Sequence, residues 1–112
     1  MKQPEKLQYS KKMNRIQEKL VRRLFHIVKE KYPEIDFLSV TPSPEDPSDL
    51  LINILTPFDD DEKEWELKHF AGEISTDILI EYGYLIGVMT RHPEYADEYR
   101  IEPRRFNINE AA

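Results

Sequence analysis

The chain has 112 residues, a formal net charge of -6 and no cysteine. At this length one modest core forms, removing roughly two thirds of the unfolded surface from water, so a single domain over residues 1–112 is expected and multi-domain mechanisms are excluded. Without cysteine there is no disulfide framework, thiolate zinc site or thiol nucleophile. No apolar run approaches the roughly 20 residues that cross a bilayer, so no membrane association and a cytoplasmic location are expected.

Charge is divided unevenly along the chain. Residues 1–32 hold ten Lys and Arg against three Glu, a balance of +7 that leaves -13 on the rest. The acidic part repels a phosphate backbone, so nucleic-acid binding is not expected. The basic part reads as an amphipathic helix over residues 5–31, with residues 1–8 expected to be flexible. Met13, Ile16, Leu20, Leu24, Ile27 and Val28 recur at three- and four-residue steps, while Lys12, Arg15, Lys19, Arg22 and Arg23 fill the remaining arc. Arg15, Lys19 and Arg22 are the candidate contacts to an acidic protein surface, on a partner, on a second copy or on the chain's own fold. His26 lies beside the apolar stripe and reads as a partly buried helical histidine. Pro33 ends the helix by steering Tyr32 out of helical geometry.

Residues 35–40 (IDFLSV) read as a first strand, followed by the linker TPSPEDPS over residues 41–48. Three prolines in that linker make it stiff, and its length is too short for a parallel crossover, so the flanking strands are expected to be antiparallel. DLLINILTPF, residues 49–58, is the candidate central strand, because Leu50, Leu51, Ile52, Ile54 and Leu55 are apolar on both parities and both faces should be covered. Asp59, Asp60 and Asp61 supply an N-cap and favourable charge for a second helix over residues 61–82. DDDEKEWE lacks the glycine and spacing of a calcium loop and reads as a solvated helix start. Leu67, Phe70, Ala71, Ile74, Ile78 and Tyr82 mark that helix's packed face, and Gly83 ends it. Residues 84–90 (YLIGVMT) form the third strand, parallel to the second through a right-handed crossover. If it is a sheet edge, it invites pairing with another copy, which makes a homodimer a candidate assembly. EYADEYR is at best a short helix, and residues 104–112 are expected to be flexible.

The order and wording of these elements resemble a minimal nucleotidyltransferase domain of the polymerase-beta-like superfamily, over roughly residues 20–105. In that family a strand ending in a Gly-Ser turn is followed by a strand entered through an Asp-x-Asp pair, as in DSDIDLLVV; here the corresponding wording is EDPSDLLINIL. EISTDILIEYGYLIGVMTRHPEYADEYR is similar to the family's helix, Glu-Tyr-Gly turn, third strand and short helix, and is the stronger match. The resemblance implies an α/β (α+β) fold: a small mixed three-stranded sheet with two main helices, nucleotidyltransferase-like. It also implies a helical protein partner of the kind found in toxin and antitoxin pairs.

Carried over residue by residue, Asp49 matches the second acid and is the candidate catalytic and metal-binding residue. The first acid falls on Pro47, with Asp46 one position away as a candidate catalytic acid. SVTPSPE stands in place of the Gly-Ser turn, and residues 84–91 hold no third acid. Two-metal transfer needs several carboxylates around magnesium. The expectation is therefore a domain with a degenerate active site, no cofactor and a binding or regulatory role. The alternatives are an active magnesium-dependent nucleotidyltransferase acting on a small molecule or protein, and an unrelated small α/β interaction module.

Overall fold

A computed structural model describes residues 13–100 and 106–110. Its elements are α1 (Arg15–Lys31), β1 (Asp36–Pro42), β2 (Leu50–Leu55), α2 (Asp61–Tyr82), β3 (Ile86–Arg91) and a 3-10 helix (Pro93–Glu98). The fold is α+β, with a mixed sheet in the order β1-β2-β3. β2 is central as expected, antiparallel to β1 and parallel to β3. β1 runs two residues into the expected linker: Pro42, which has no N–H to give, pairs with Leu50 on an edge strand where that loss is tolerated.

The first helix begins later than its periodicity indicates. Asn14 Oδ1 accepts the Gln17 N–H at 2.7 Å and Gln17 Oε1 accepts the Asn14 N–H at 3.0 Å, a reciprocal capping box that fixes Arg15 as the first helical residue. Of the expected residues 5–31, those before 13 lie outside the described residues. Met13 is buried from the non-helical side of the cap, and Ile16 is 51% exposed. α1 buries Leu20, Val21, Leu24, Phe25 and Val28, a face rotated from the expected stripe toward Val21 and Phe25.

α2 has the expected bounds. Asp60 accepts the Glu62 N–H at 2.9 Å, and Gly83 closes the helix at φ 80°, donating its N–H to Leu79 O at 2.8 Å. Both helices lie on one face of the sheet, where Leu50, Ile52 and Ile54 join Val40, Ile86, Leu67, Ala71 and Ile78 in a single core. On the opposite face of β2, where covering was also expected, Leu51 and Leu55 are only half-buried and a polar residue lies between them. There Asn53 is wholly buried, and its Nδ2 donates to Ser39 Oγ at 3.2 Å and Thr41 Oγ1 at 3.0 Å.

Residues 106–110, expected to be flexible, are docked against α1. Phe106 and Ile108 are buried, and Phe106 packs near Phe37 with ring centroids 5.9 Å apart. The physical reason is a pair of apolar side chains reinforced by backbone carbonyls: His26 Nε2–H donates to Ile108 O at 2.8 Å and Arg22 Nε–H to Asn107 O at 2.9 Å. The remaining expected flexible residues, 1–8, 104, 105, 111 and 112, lie outside the described residues.

Candidate functional site

The two acids singled out in the sequence sit at the start of β2, on the proline-rich connection. Asp46 is exposed and acts on its own turn: Oδ1 accepts the Ser48 N–H at 3.1 Å and the Ser48 hydroxyl at 2.8 Å. The Ser48 N–H, with its hydroxyl second, holds the Asp46 carboxyl below its ordinary 3.8. Asp49 is half-buried, and its backbone closes the loop, donating to Asp46 O at 2.9 Å and accepting from Ser43 N–H at 2.9 Å. Among the described residues no three His, Asp or Glu side chains come together as a metal-holding group. Two acids, one already committed to its turn, do not fit the ligand set that in-line transfer through two magnesium ions requires.

The three cations singled out on α1 separate. Arg15 and Lys19 are exposed. Arg22 is not available to an outside surface: it is 8% exposed, its guanidinium stacks 4.6 Å from the Phe106 ring centroid, and Nη2 meets Glu110 Oε1 at 3.3 Å. Helical spacing alone placed it on the solvated arc, whereas Phe106 and Asn107 cover that arc from a segment far along the sequence.

Lys19 instead belongs with a residue that received no role, Arg23. Together with Ile16, Leu20 and Tyr82 they line a groove of about 460 Å³ between α1 and the last turn of α2. Arg23 Nη1–H donates to the Tyr82 hydroxyl at 3.3 Å, which holds this cation at the rim. Ile16 and Tyr82 are 51% and 41% exposed, and Leu79 and Ile80 in the same turns of α2 are 41% and 78% exposed. Leu79 and Ile80 do not line the groove, whose apolar part is Ile16, Leu20 and Tyr82. Helical spacing in the sequence puts Tyr82 on the packed face of α2, whereas it is 41% exposed at the groove.

A second constellation lies at the opposite end of the parallel strands. Glu64, in the first turn of α2, accepts a hydrogen bond from Thr90 Oγ1 and lies 4.0 Å from His92 Nε2. Its side chain is only 14% exposed. Sequence reading missed it, taking Glu64 as part of a solvated helix start. The available signal was the pairing of a first-turn acid with the strand end that the crossover places beside it.

No described helix is long and apolar enough to cross a membrane. Comparison with protein-family models, with curated proteins and with solved structures gives no match to this chain.

Proposed function

We propose that this chain is a binding or regulatory domain on a nucleotidyltransferase-like fold with a degenerate active site, and that it holds an acidic amphipathic helix of a protein partner in the α1–α2 groove. The groove carries this reading, with Ile16, Leu20 and Tyr82 as its apolar floor and Lys19 and Arg23 as its cationic rim. Apolar anchors at helical spacing fill such a groove, and a charged rim selects a partner of opposite sign and sets the register. The order α1-β1-β2-α2-β3 supports the family reading, and the turn-bound Asp46 beside a half-buried Asp49 supports the loss of catalysis.

Titration with two labelled peptides tests the site, one an acidic amphipathic helix and the other the same helix with Lys for Glu. The acidic peptide is expected to bind and the basic one not, and Lys19→Glu with Arg23→Glu should abolish binding without lowering Tm. Equal binding of both peptides, or of neither, overturns the reading. Concentration-dependent dimerisation broken by the same double variant would assign the groove to a second copy instead.

A further inference from the structure

A separate cavity of about 380 Å³ opens between the C-terminal end of α1 and the first half of α2. α1 and the residue after it contribute Lys31 and Tyr32. One face of α2 contributes Trp65, His69 and Phe70 together with the carboxylates of Glu66 and Glu73. Residues 65, 66, 69, 70 and 73 recur at three- and four-residue steps, so a single helix side presents rings and acids together.

The rings are arranged as walls. Trp65 and His69 stack with centroids 4.9 Å apart and planes 12° from parallel, while Phe70 stands edge-on to Tyr32 at 6.3 Å and 62°. The Lys31 ammonium lies 4.5 Å from the centroid of Phe70 and 6.0 Å from that of Tyr32. The cavity therefore already receives a cation, from the chain itself. Lys31 is exposed and sits on the last turn of α1, so its flexible stem can swing out at little cost. With Lys31 withdrawn, the rings and the two carboxylates leave an electronegative pocket. Burial first, and then the Glu66 charge, raise the Tyr32 hydroxyl's pKa from 10.0 against the opposing charge of Lys63.

From these observations we propose that the cavity between α1 and α2 binds a small alkylated ammonium ion, with Trp65, Phe70 and Tyr32 as the aromatic walls, Glu66 and Glu73 as the counter-charges and Lys31 as a displaceable internal occupant. An alkylated ammonium suits the site better than a bare one, because it is weakly hydrated and spreads its charge over groups that lie against ring faces. The inference does not depend on the groove at Lys19 and Arg23, which lies toward the other ends of both helices.

Trp65 is the chain's one tryptophan and lines this cavity as well as a hollow beside Asp61, Glu64 and Lys68, so its emission reports binding and the variants below assign that binding to this site. Choline chloride, titrated at constant ionic strength, is expected to change Trp65 emission saturably, while the neutral tert-butyl analogue of choline leaves it unchanged. Lys31→Met should tighten choline binding several-fold by removing the competitor. Glu66→Gln with Glu73→Gln should weaken it several-fold while keeping the wild-type Tm, since both side chains are at the surface. An equal response to the neutral analogue, a response no larger than that to sodium chloride, or unchanged affinity in Lys31→Met overturns the proposal.

Discussion

Asn53 and Arg91 are joined across the parallel strands: Arg91 Nε–H donates to Asn53 Oδ1 at 3.0 Å, while the same amide donates the other way to Ser39 and Thr41 on β1. One buried side chain thus connects all three strands on the face away from the helices. The Arg91 guanidinium is held from its far side by the Tyr99 ring, 3.8 Å away. Asn53→Ala leaves two buried hydroxyls and a guanidinium short of a partner, and should cost about 2–3 kcal/mol, read as a lowered urea midpoint. A loss below about 0.5 kcal/mol would mean that water replaces the amide.

The other face of β2 gives the opposite chemistry. Ile52 and Ile54 are 0% and 1% exposed within the apolar core. An Asp at either position buries a charge without a partner and should cost about 4 kcal/mol or more, enough to unfold a marginal domain. Circular dichroism and thermal melting check it; a variant that melts like wild type would contradict the central place of β2.

Gly83 stands at φ 80°, and a Cβ added there meets no atom within 4 Å. The penalty for Gly83→Ala is therefore conformational and not steric, about 1 kcal/mol. Gly83→Asn should lose less, because Asn tolerates the left-handed region. The ranking of Tm values, glycine above asparagine above alanine, is the check.

For Asp46 the sign of the pH dependence is fixed by its lowered carboxyl pKa, caused first by the Ser48 N–H. A depressed folded value adds stability above the ordinary 3.8, and that stability is lost as pH falls through the folded value. Asp46→Ala should accordingly be less stable than wild type near neutral pH, and the two should converge well below 3.8. Since Asp46 is fully exposed, the difference is expected to be small and to shrink with salt. A gap that widens on acidification would assign Asp46 a different role.

Catalytic silence is the remaining expectation for the acids. Incubation with labelled nucleoside triphosphates and magnesium or manganese should transfer no label to protein or small acceptors, and Asp49→Asn should leave stability nearly unchanged. Labelling that Asp49→Asn abolishes would establish an active transferase and make Asp46 the first residue to test as its second acid.

The sheet was legible in the sequence because its signals are local: an apolar run for β2, prolines between β1 and β2, and an aspartate cap and glycine stop around α2. What escaped were features created by distant partners. Asn53 broke an apolar strand, but its meaning depends on Ser39, Thr41 and Arg91 from both neighbours. Arg22 looked solvated because nothing nearby in sequence covers it, and the apolar Phe106 and Ile108, spaced at alternate positions, passed as tail. The late helix start was readable from Asn14 and Gln17, a capping pair overshadowed by the continuing period of Met13 and Ile16. At the acids, the lack of any glycine between β1 and β2 and of any acid in residues 84–91 was plain from residue types alone. The groove needed the fold, since it joins Lys19 and Arg23 to Tyr82 about 60 residues away.

The docking of Phe106 and Ile108 on α1 also constrains when this protein becomes itself during synthesis. Arg22 and Asn107 are 85 positions apart, so during synthesis α1 waits until 85 further residues have been added before the Arg22 guanidinium finds its carbonyl. Until residues 106–110 are in place, the apolar surface that Phe106 and Ile108 cover stays open to water, and transiently exposed surface of that kind is prone to misassociation. A chain truncated before Phe106 should therefore be cut more readily by protease within α1 than one that carries residues 106–110.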